Sequence, residues 1–108
     1  MAPVKPAPAN PEIEVKTIFD RMVVVEPLWR VWIHNDDVTT FEFVIRILMN
    51  VFGLNSEDAE LLAWITHTQD VALVGAWPKN EALERINKAT FAARLENFPL
   101  QFSAEPDE

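Results

Sequence analysis

A group of polar residues could bind a ligand or take part in catalysis. Asn35, Asp36 and Asp37 follow a run of aromatic and β-branched residues, Thr39 lies two positions further on, and His67 comes later in the chain. Their amide, carboxylate, hydroxyl and imidazole groups can all accept hydrogen bonds. Each also has an ordinary structural explanation, since Asn-Asp-Asp commonly forms a turn before a helix and a late-helix histidine commonly lies on the surface. Taken singly, none of them predicts a site.

The spacing of these residues argues against a metal site or a hydrolase. Because side chains alternate along a strand, His34 should face away from Asn35 and from His67, and no His-x-x-x-His or His-x-x-x-Asp spacing is present. A hydrolase that used Asp36 or Asp37 with His67 would need a nucleophile motif or a glycine-rich oxyanion loop, and the sequence has neither. The chain has no cysteine to provide a disulfide or a thiolate. We therefore expect no catalytic residue, no metal and no cofactor.

The elements that would position the polar group follow from local patterns. Residues 29–33 predict a strand, and a Thr-x-x-Glu capping box at Thr39 and Glu42 predicts the start of a helix that Gly53 ends. The remaining predicted elements are a helix from Asn55 or Ser56 to about Gln69, a buried strand over 71–77, a helix over about 80–95 and a strand over 100–104. The order β-α-α-β-α-β predicts an α+β fold, with helices on one side of a three-stranded antiparallel sheet.

These elements could enclose a hollow. If Ile33 faces the core, Asn35 lies at the core-side rim of its strand. Residues three and four positions apart share one face of a helix. The hollow would then be bounded by Phe41 and Val44 on the first helix, by Ala63 and Thr66 on the second, and by Asn35, Asp36 and His67 at its mouth.

Composition limits the class of protein. A chain of 108 residues fits one domain, and its net charge of −8 makes nucleic acid and anionic membrane surfaces poor partners. Residues 1–11 are rich in Pro and Ala and do not resemble a signal peptide, so we expect a cytoplasmic protein. We interpret residues 1–27 as a flexible extension and residues 28–108 as the folded domain, although residues 22–25 could form a strand or an adhesive patch.

A longer motif connects these features to a known family. The run VWIHNDDVTTFEFV (residues 31–44) closely resembles the signature of the ClpS family, which are adaptors of the Clp protease. The resemblance continues through VFGL (residues 51–54), Ala59, His67, Gly75 and Pro99-Leu100, and covers about residues 28–105. It implies a non-enzymatic adaptor, the same β-α-α-β-α-β core and a flexible N-terminal arm.

The resemblance also implies roles for individual residues. ClpS adaptors bind the first residue of N-degron substrates, usually bulky and hydrophobic, and deliver them to a Clp AAA+ unfoldase of the ClpA or ClpC type; we expect a monomer. The matching positions are Asn35, Asp36 and His67 around the free α-amino group, Asp37 and Thr39 as support for the mouth, and Phe41, Val44, Ala63, Thr66 and Leu100 along the side-chain pocket.

Some positions depart from the family pattern. Phe41 and Ala63 stand where methionine is common in the family, and Thr66 stands where valine is common. These residues should reshape the pocket, so the preferred first residue cannot be carried over from the family; we expect Leu and aromatic residues to remain favoured and Ile or Val to be penalised less. A second hypothesis is a structural or ribosome-associated domain, because the ClpS core is similar in fold to the C-terminal domain of a ribosomal stalk protein.

Overall fold

The computed structural model describes residues 27–107, which form a three-stranded antiparallel sheet and three helices. The elements in chain order are β1 (Leu28–His34), α1 (Phe41–Asn50), α2 (Ser56–Gln69), β2 (Val71–Pro78), α3 (Lys79–Leu95) and β3 (Gln101–Pro106). The predicted α+β class and the predicted order of elements are confirmed. The predicted flexible extension, residues 1–27, lies outside the described residues except for Pro27.

The strand β1 lies at the centre of the sheet, whose order is β2-β1-β3. Val31 and Ile33 are fully buried, whereas the alternating Trp32 and His34 are only half-buried. Because successive side chains of a strand point to opposite faces, only one face of the sheet is covered by the helices. The helix α3 packs across all three strands, and α1 packs on α2. Asn35, two residues after Ile33, therefore emerges on the helix side of the sheet.

The strand predicted over residues 71–77 is confirmed as β2, but the prediction that it is buried is wrong, and β2 lies at an edge of the sheet. Val71 and Leu73 are exposed, whereas Ala72 between them is buried against the helices. The pairing partner of Val31 is Gly75 and that of Trp32 is Leu73, so Val74 is an extra residue that bulges from the ladder. An unbroken apolar run does not distinguish a strand covered on both faces from one covered on a single face.

The predicted capping box at Thr39 is also wrong, by one residue. Thr40 is the N-cap of α1, and its hydroxyl oxygen accepts a hydrogen bond of 3.1 Å from the backbone N–H of Phe43. The hydroxyl of Thr39 instead donates to the carboxylate of Asp36, at 2.7 Å. Because the backbone N–H of Thr39 also donates to this carboxylate, Thr39 belongs to the loop and the helix begins one residue later.

Arg85 holds the other end of α1. Its guanidinium group donates to the backbone carbonyl of Val51, directly after the helix, at 2.6 Å. The same group is paired with Glu81 one turn earlier on α3 and lies 4.9 Å from the ring centre of Trp77. The helix α1 is therefore fixed at both ends.

Candidate functional site

A cavity of about 480 Å³ opens where the loop after β1, the first turns of α1 and one face of α2 meet. The residues that line it are Asn35, Asp36, Asp37, Thr39, Phe41, Val44, Ala63, Trp64, Thr66 and His67. Nine of these ten positions are ones that the sequence singled out. The tenth, Trp64, is new, and one singled-out residue, Leu100, is absent from the lining.

The end of β1 is tied to the end of α2, which brings Asn35 near His67. The backbone N–H of Asn35 donates to the carbonyl of Asp70 at 2.9 Å, one position beyond the last pair of the β1–β2 ladder. Asp70 ends α2 in the left-handed conformation, with φ of 71°, and so turns the chain directly into β2. Because His67 lies one helical turn before Asp70, this junction places its imidazole beside the loop that follows β1.

Asp36 organises the loop between β1 and α1. One carboxylate oxygen accepts from the backbone N–H groups of Val38, at 2.8 Å, and of Thr39, at 2.6 Å. The other oxygen accepts from the hydroxyl of Thr39. This arrangement is an Asx turn strengthened by a side-chain bond. The hydrogen bonds that fix the loop run through Asp36 rather than through the side chain of Asn35, which remains exposed at the mouth.

These contacts also keep Asp36 charged. Partial burial alone would raise the pKa of the carboxyl group, because it disfavours the charged form. The hydrogen bonds from the Thr39 N–H, the Thr39 hydroxyl and the Val38 N–H together outweigh that effect and lower the pKa below its ordinary value of 3.8. Asp36 therefore places a negative charge at the mouth of the cavity at neutral pH.

The interior of the cavity is mostly apolar. Val44 from α1 and Ala63 from α2 are almost fully buried, and Phe41 is half-buried beside them. Since the two helices pack on each other, these side chains line a common wall. Acceptors at the mouth and apolar groups inside suit a ligand with a donating head group and an apolar body.

Trp64 forms part of the rim, although no pattern in the sequence had indicated it. Its ring lies edge-on to Phe41, with centroids 5.8 Å apart, and edge-on to His67, with centroids 6.0 Å apart. The side chain is nevertheless 55% exposed. The spacing of three residues between Trp64 and His67 could have indicated this contact, because such residues are neighbours on a helix.

Leu100, expected along the pocket, is not among the residues that line the cavity. It is 1% exposed and packs in the hydrophobic core, beside a second hollow that His34 and Arg94 border. The residue comes directly before β3, whose first residue, Gln101, pairs with His34. It belongs to the same core cluster as the cavity-wall residues Val44 and Ala63.

Metal ligation and membrane insertion find no support in the part of the chain that the structure describes. Within residues 27–107, no three His, Cys, Asp or Glu side chains come together as a metal site would require. No helix in the same range has the length and the apolar character needed to cross a bilayer.

The chain is similar to proteins of one known family. Residues 25–103 match the family model of the ATP-dependent Clp protease adaptor protein ClpS. A ClpS adapter protein of Desulforapulum autotrophicum is 37% identical over 75% of this chain and 78% of its own length. One from Campylobacter jejuni subsp. doylei is 35% identical over 88% of this chain and 99% of its own length.

A solved structure shows the same fold. It is that of Agrobacterium tumefaciens ClpS2 bound to L-phenylalaninamide, and it superposes with a TM-score of 0.72 at 30% sequence identity. The match covers 75% of this chain and 98% of the other.

Proposed function

Because the chain belongs to the ClpS family of Clp protease adaptors, we propose that its cavity binds the N-terminal residue of proteins destined for degradation. The observation that carries the proposal is a single cavity with polar acceptors at its mouth and apolar side chains inside. The ligand of the similar structure, L-phenylalaninamide, has two parts that complement these: a free α-amino group, which donates hydrogen bonds, and a large apolar side chain.

The mouth is suited to an α-ammonium group, which an internal residue lacks. The group carries three donors and is mostly charged at neutral pH, since the pKa of an α-amino group is about 7.7–8.0. Its acceptors in this proposal are the side-chain oxygen of Asn35, a neutral ring nitrogen of His67, and the carboxylate of Asp36. Because Asp36 already accepts three hydrogen bonds, it acts through its remaining lone pair or through a bound water. Asp37 and Thr39 support the mouth around them.

The interior is suited to a bulky hydrophobic side chain. Phe41, Val44, Ala63 and Thr66 are the groups that such a side chain would contact. Burying it is worth about 1.5–3 kcal/mol, and each charge-assisted hydrogen bond to the ammonium about as much again. After the cost of association, an affinity in the micromolar range or somewhat tighter follows.

The remainder of the proposed function is delivery. The chain hands the bound protein to a Clp AAA+ unfoldase of the ClpA or ClpC type and contributes no catalytic group of its own. It does so as a monomer in the cytoplasm. The absence of cysteine and the net charge of −8 fit such a protein, which needs neither an oxidising compartment nor an anionic partner.

The proposal is tested with a panel of labelled peptides that differ only at residue one. Peptides that begin with Leu or Phe should bind, and those that begin with Gly or Asp should not. In a second arm, a reporter protein that begins with Phe is incubated with a purified Clp unfoldase and its peptidase. Its degradation should accelerate when the adaptor is added, and equal binding by all peptides of the panel would contradict the proposal.

A further inference from the structure

The cavity wall contains one buried polar residue, Thr66. Among residues 27–107 it is the only polar or charged residue that is almost fully buried, with 3% of its surface exposed. The neighbouring wall residues Val44 and Ala63 are also buried, and both are apolar. A hydroxyl group in such a place must find a hydrogen-bond partner or destabilise the fold.

The hydrogen-bond state of Thr66 limits what it can offer to a ligand. Its hydroxyl donates to the carbonyl of Leu62, one turn earlier on α2, with an oxygen–oxygen distance of 2.8 Å. A hydroxyl group has one donor and two acceptor lone pairs. With the donor committed to the helix, the group can present only acceptor capacity to whatever enters the cavity.

The surrounding residues leave room for an aromatic side chain near this acceptor. Ala63, one helical turn before Thr66, has the smallest side chain of the cavity wall. Phe41 and Trp64 provide two rings at 69° to each other, and a third ring can pack edge-on against such a pair. A volume of about 480 Å³ is sufficient for a phenol or an indole.

We propose that Thr66 is a specificity-determining residue that favours N-terminal residues whose aromatic ring carries a hydrogen-bond donor, tyrosine or tryptophan, over phenylalanine. This inference rests on the proposed function, because it assigns a substrate class to the same cavity. With an acceptor in the wall, the phenol O–H of tyrosine or the indole N–H of tryptophan is satisfied once it leaves water. With an apolar wall, burial of the same donor would be penalised.

The expected effect is moderate. A neutral hydrogen bond in a cavity changes an equilibrium about three- to tenfold. The loss of a partner for a buried donor changes it by a similar or larger factor. The ratio of affinities for Tyr-initiated and Phe-initiated peptides should therefore fall about three- to tenfold when the acceptor is removed.

A thermodynamic cycle tests this directly. The two peptides differ only in the phenol hydroxyl, and wild type is compared with Thr66→Val, which keeps the branched shape and removes the hydroxyl. Thr66→Ala is a second variant without the acceptor, and Thr66→Ser retains it. A matched control is Thr68→Val on the same helix, since the hydroxyl of Thr68 also donates to a backbone carbonyl but the residue lies outside the cavity lining. Tryptophan is tested in parallel against 3-benzothienylalanine, in which sulfur replaces the indole N–H.

The result that supports the proposal is a lower Tyr-to-Phe ratio in Thr66→Val and Thr66→Ala, with an unchanged ratio in Thr66→Ser and Thr68→Val. The parallel tryptophan pair shows whether the phenol, the indole or both are recognised. An unchanged ratio in the variants without the hydroxyl, or an equal change in Thr68→Val, would overturn it. If peptides with a free N-terminus bind but the ratio does not respond, only this inference is wrong; if no such peptide binds, the proposed function is wrong.

Discussion

The structure makes Asp36 the residue on which the mouth of the cavity depends, so its replacement is the most informative structural perturbation. Asp36→Ala removes three hydrogen bonds at once, from two backbone N–H groups and one hydroxyl. The affected donors belong to Val38 and Thr39, immediately before the start of α1. We expect the variant to be less stable and to bind peptide more weakly, because Asn35 stands at the beginning of the same loop.

The size of the effect follows from the count and the exposure of these bonds. A hydrogen bond to a charged group contributes about 1.5–3 kcal/mol when it is shielded from water. Asp36 is only partly buried, so a value of about 1 kcal/mol per bond is more appropriate. Asp36→Ala should therefore lower the free energy of unfolding by about 2–3 kcal/mol. For a domain of this size that corresponds to a decrease of roughly 2 M in the urea midpoint.

The effect should also depend on pH in a defined direction. The pKa of Asp36 is lowered in the folded protein, so its contribution is fully present above the unfolded value of about 3.9. That contribution is lost as the pH falls through the lower folded-state pKa. The difference in unfolding free energy between wild type and Asp36→Ala should therefore be constant from about pH 7 to pH 5 and shrink below about pH 4.

Urea titrations followed by tryptophan fluorescence at several pH values measure this difference. Asp37→Ala is the matched control, since it removes a neighbouring carboxylate that is exposed. Wild-type stability of Asp36→Ala at pH 7 would refute the assigned role of the carboxylate. So would a difference in unfolding free energy between wild type and variant that stays the same down to pH 3.

Three further predictions concern binding and delivery. His67→Ala should weaken peptide binding by about 1.5–3 kcal/mol in a fluorescence anisotropy titration while the melting temperature stays close to wild type. Wild-type affinity in the variant would contradict the role of His67 as an acceptor. Ala63→Met should narrow the cavity. In the same titration, the affinity penalty for peptides that begin with Ile or Val, relative to Leu, should increase by about 1–3 kcal/mol. An unchanged ranking of the peptides would show that Ala63 does not set the width of the cavity. Deletion of residues 1–11 should leave peptide affinity intact, because this Pro-rich segment lacks a pattern for packing. It should slow the degradation of a bound reporter by a Clp protease. A large loss of peptide affinity would instead show that the segment forms part of the binding site.

The sequence predicted the order of elements because the signals along this chain are local and consistent. The aromatic and β-branched run of β1, the apolar spacing of α1 and the cap at Asn55 each point to one structure. Asn55 is the N-cap of α2, and its side chain accepts from the N–H of Asp58 at 2.8 Å. Two alternative caps, Asn55 and Ser56, could not be separated from spacing alone, because both residue types are common N-caps.

The errors in the helix cap and in the burial of β2 come from contacts that form only in the folded chain, which a linear pattern does not contain. Thr39 and Thr40 are equivalent as candidate caps until the position of Asp36 is known, since its carboxylate binds both the backbone N–H and the hydroxyl of Thr39 and so keeps this residue in the loop. The edge position of β2 depends on which strands pair with β1, and its apolar run carries no information on that order.

The candidate site shows the same limit. Alternation in β1 and helical spacing in α2 allowed a hollow with Asn35 and His67 at its mouth, and both residues do line one cavity. The role of Leu100 was inferred from family resemblance alone, and it stays a prediction: the residue is absent from the cavity lining but packs in the same core cluster as Val44 and Ala63. The sequence did not indicate Trp64, because a single aromatic residue on a helix forms no distinguishing pattern. Its contacts with Phe41 and His67 become evident only in the structure.

The central claim, that the mouth of the cavity binds a free α-amino group, is tested most directly by acetylating the peptide. Two peptides that begin with Phe and differ only in an N-terminal acetyl group are titrated into the wild-type protein. Acetylation removes the charge and two of the three donors, and it leaves the acceptors at Asn35 and His67 without partners. We predict measurable binding of the free peptide and none of the acetylated one, whereas equal binding of the two peptides would contradict the claim.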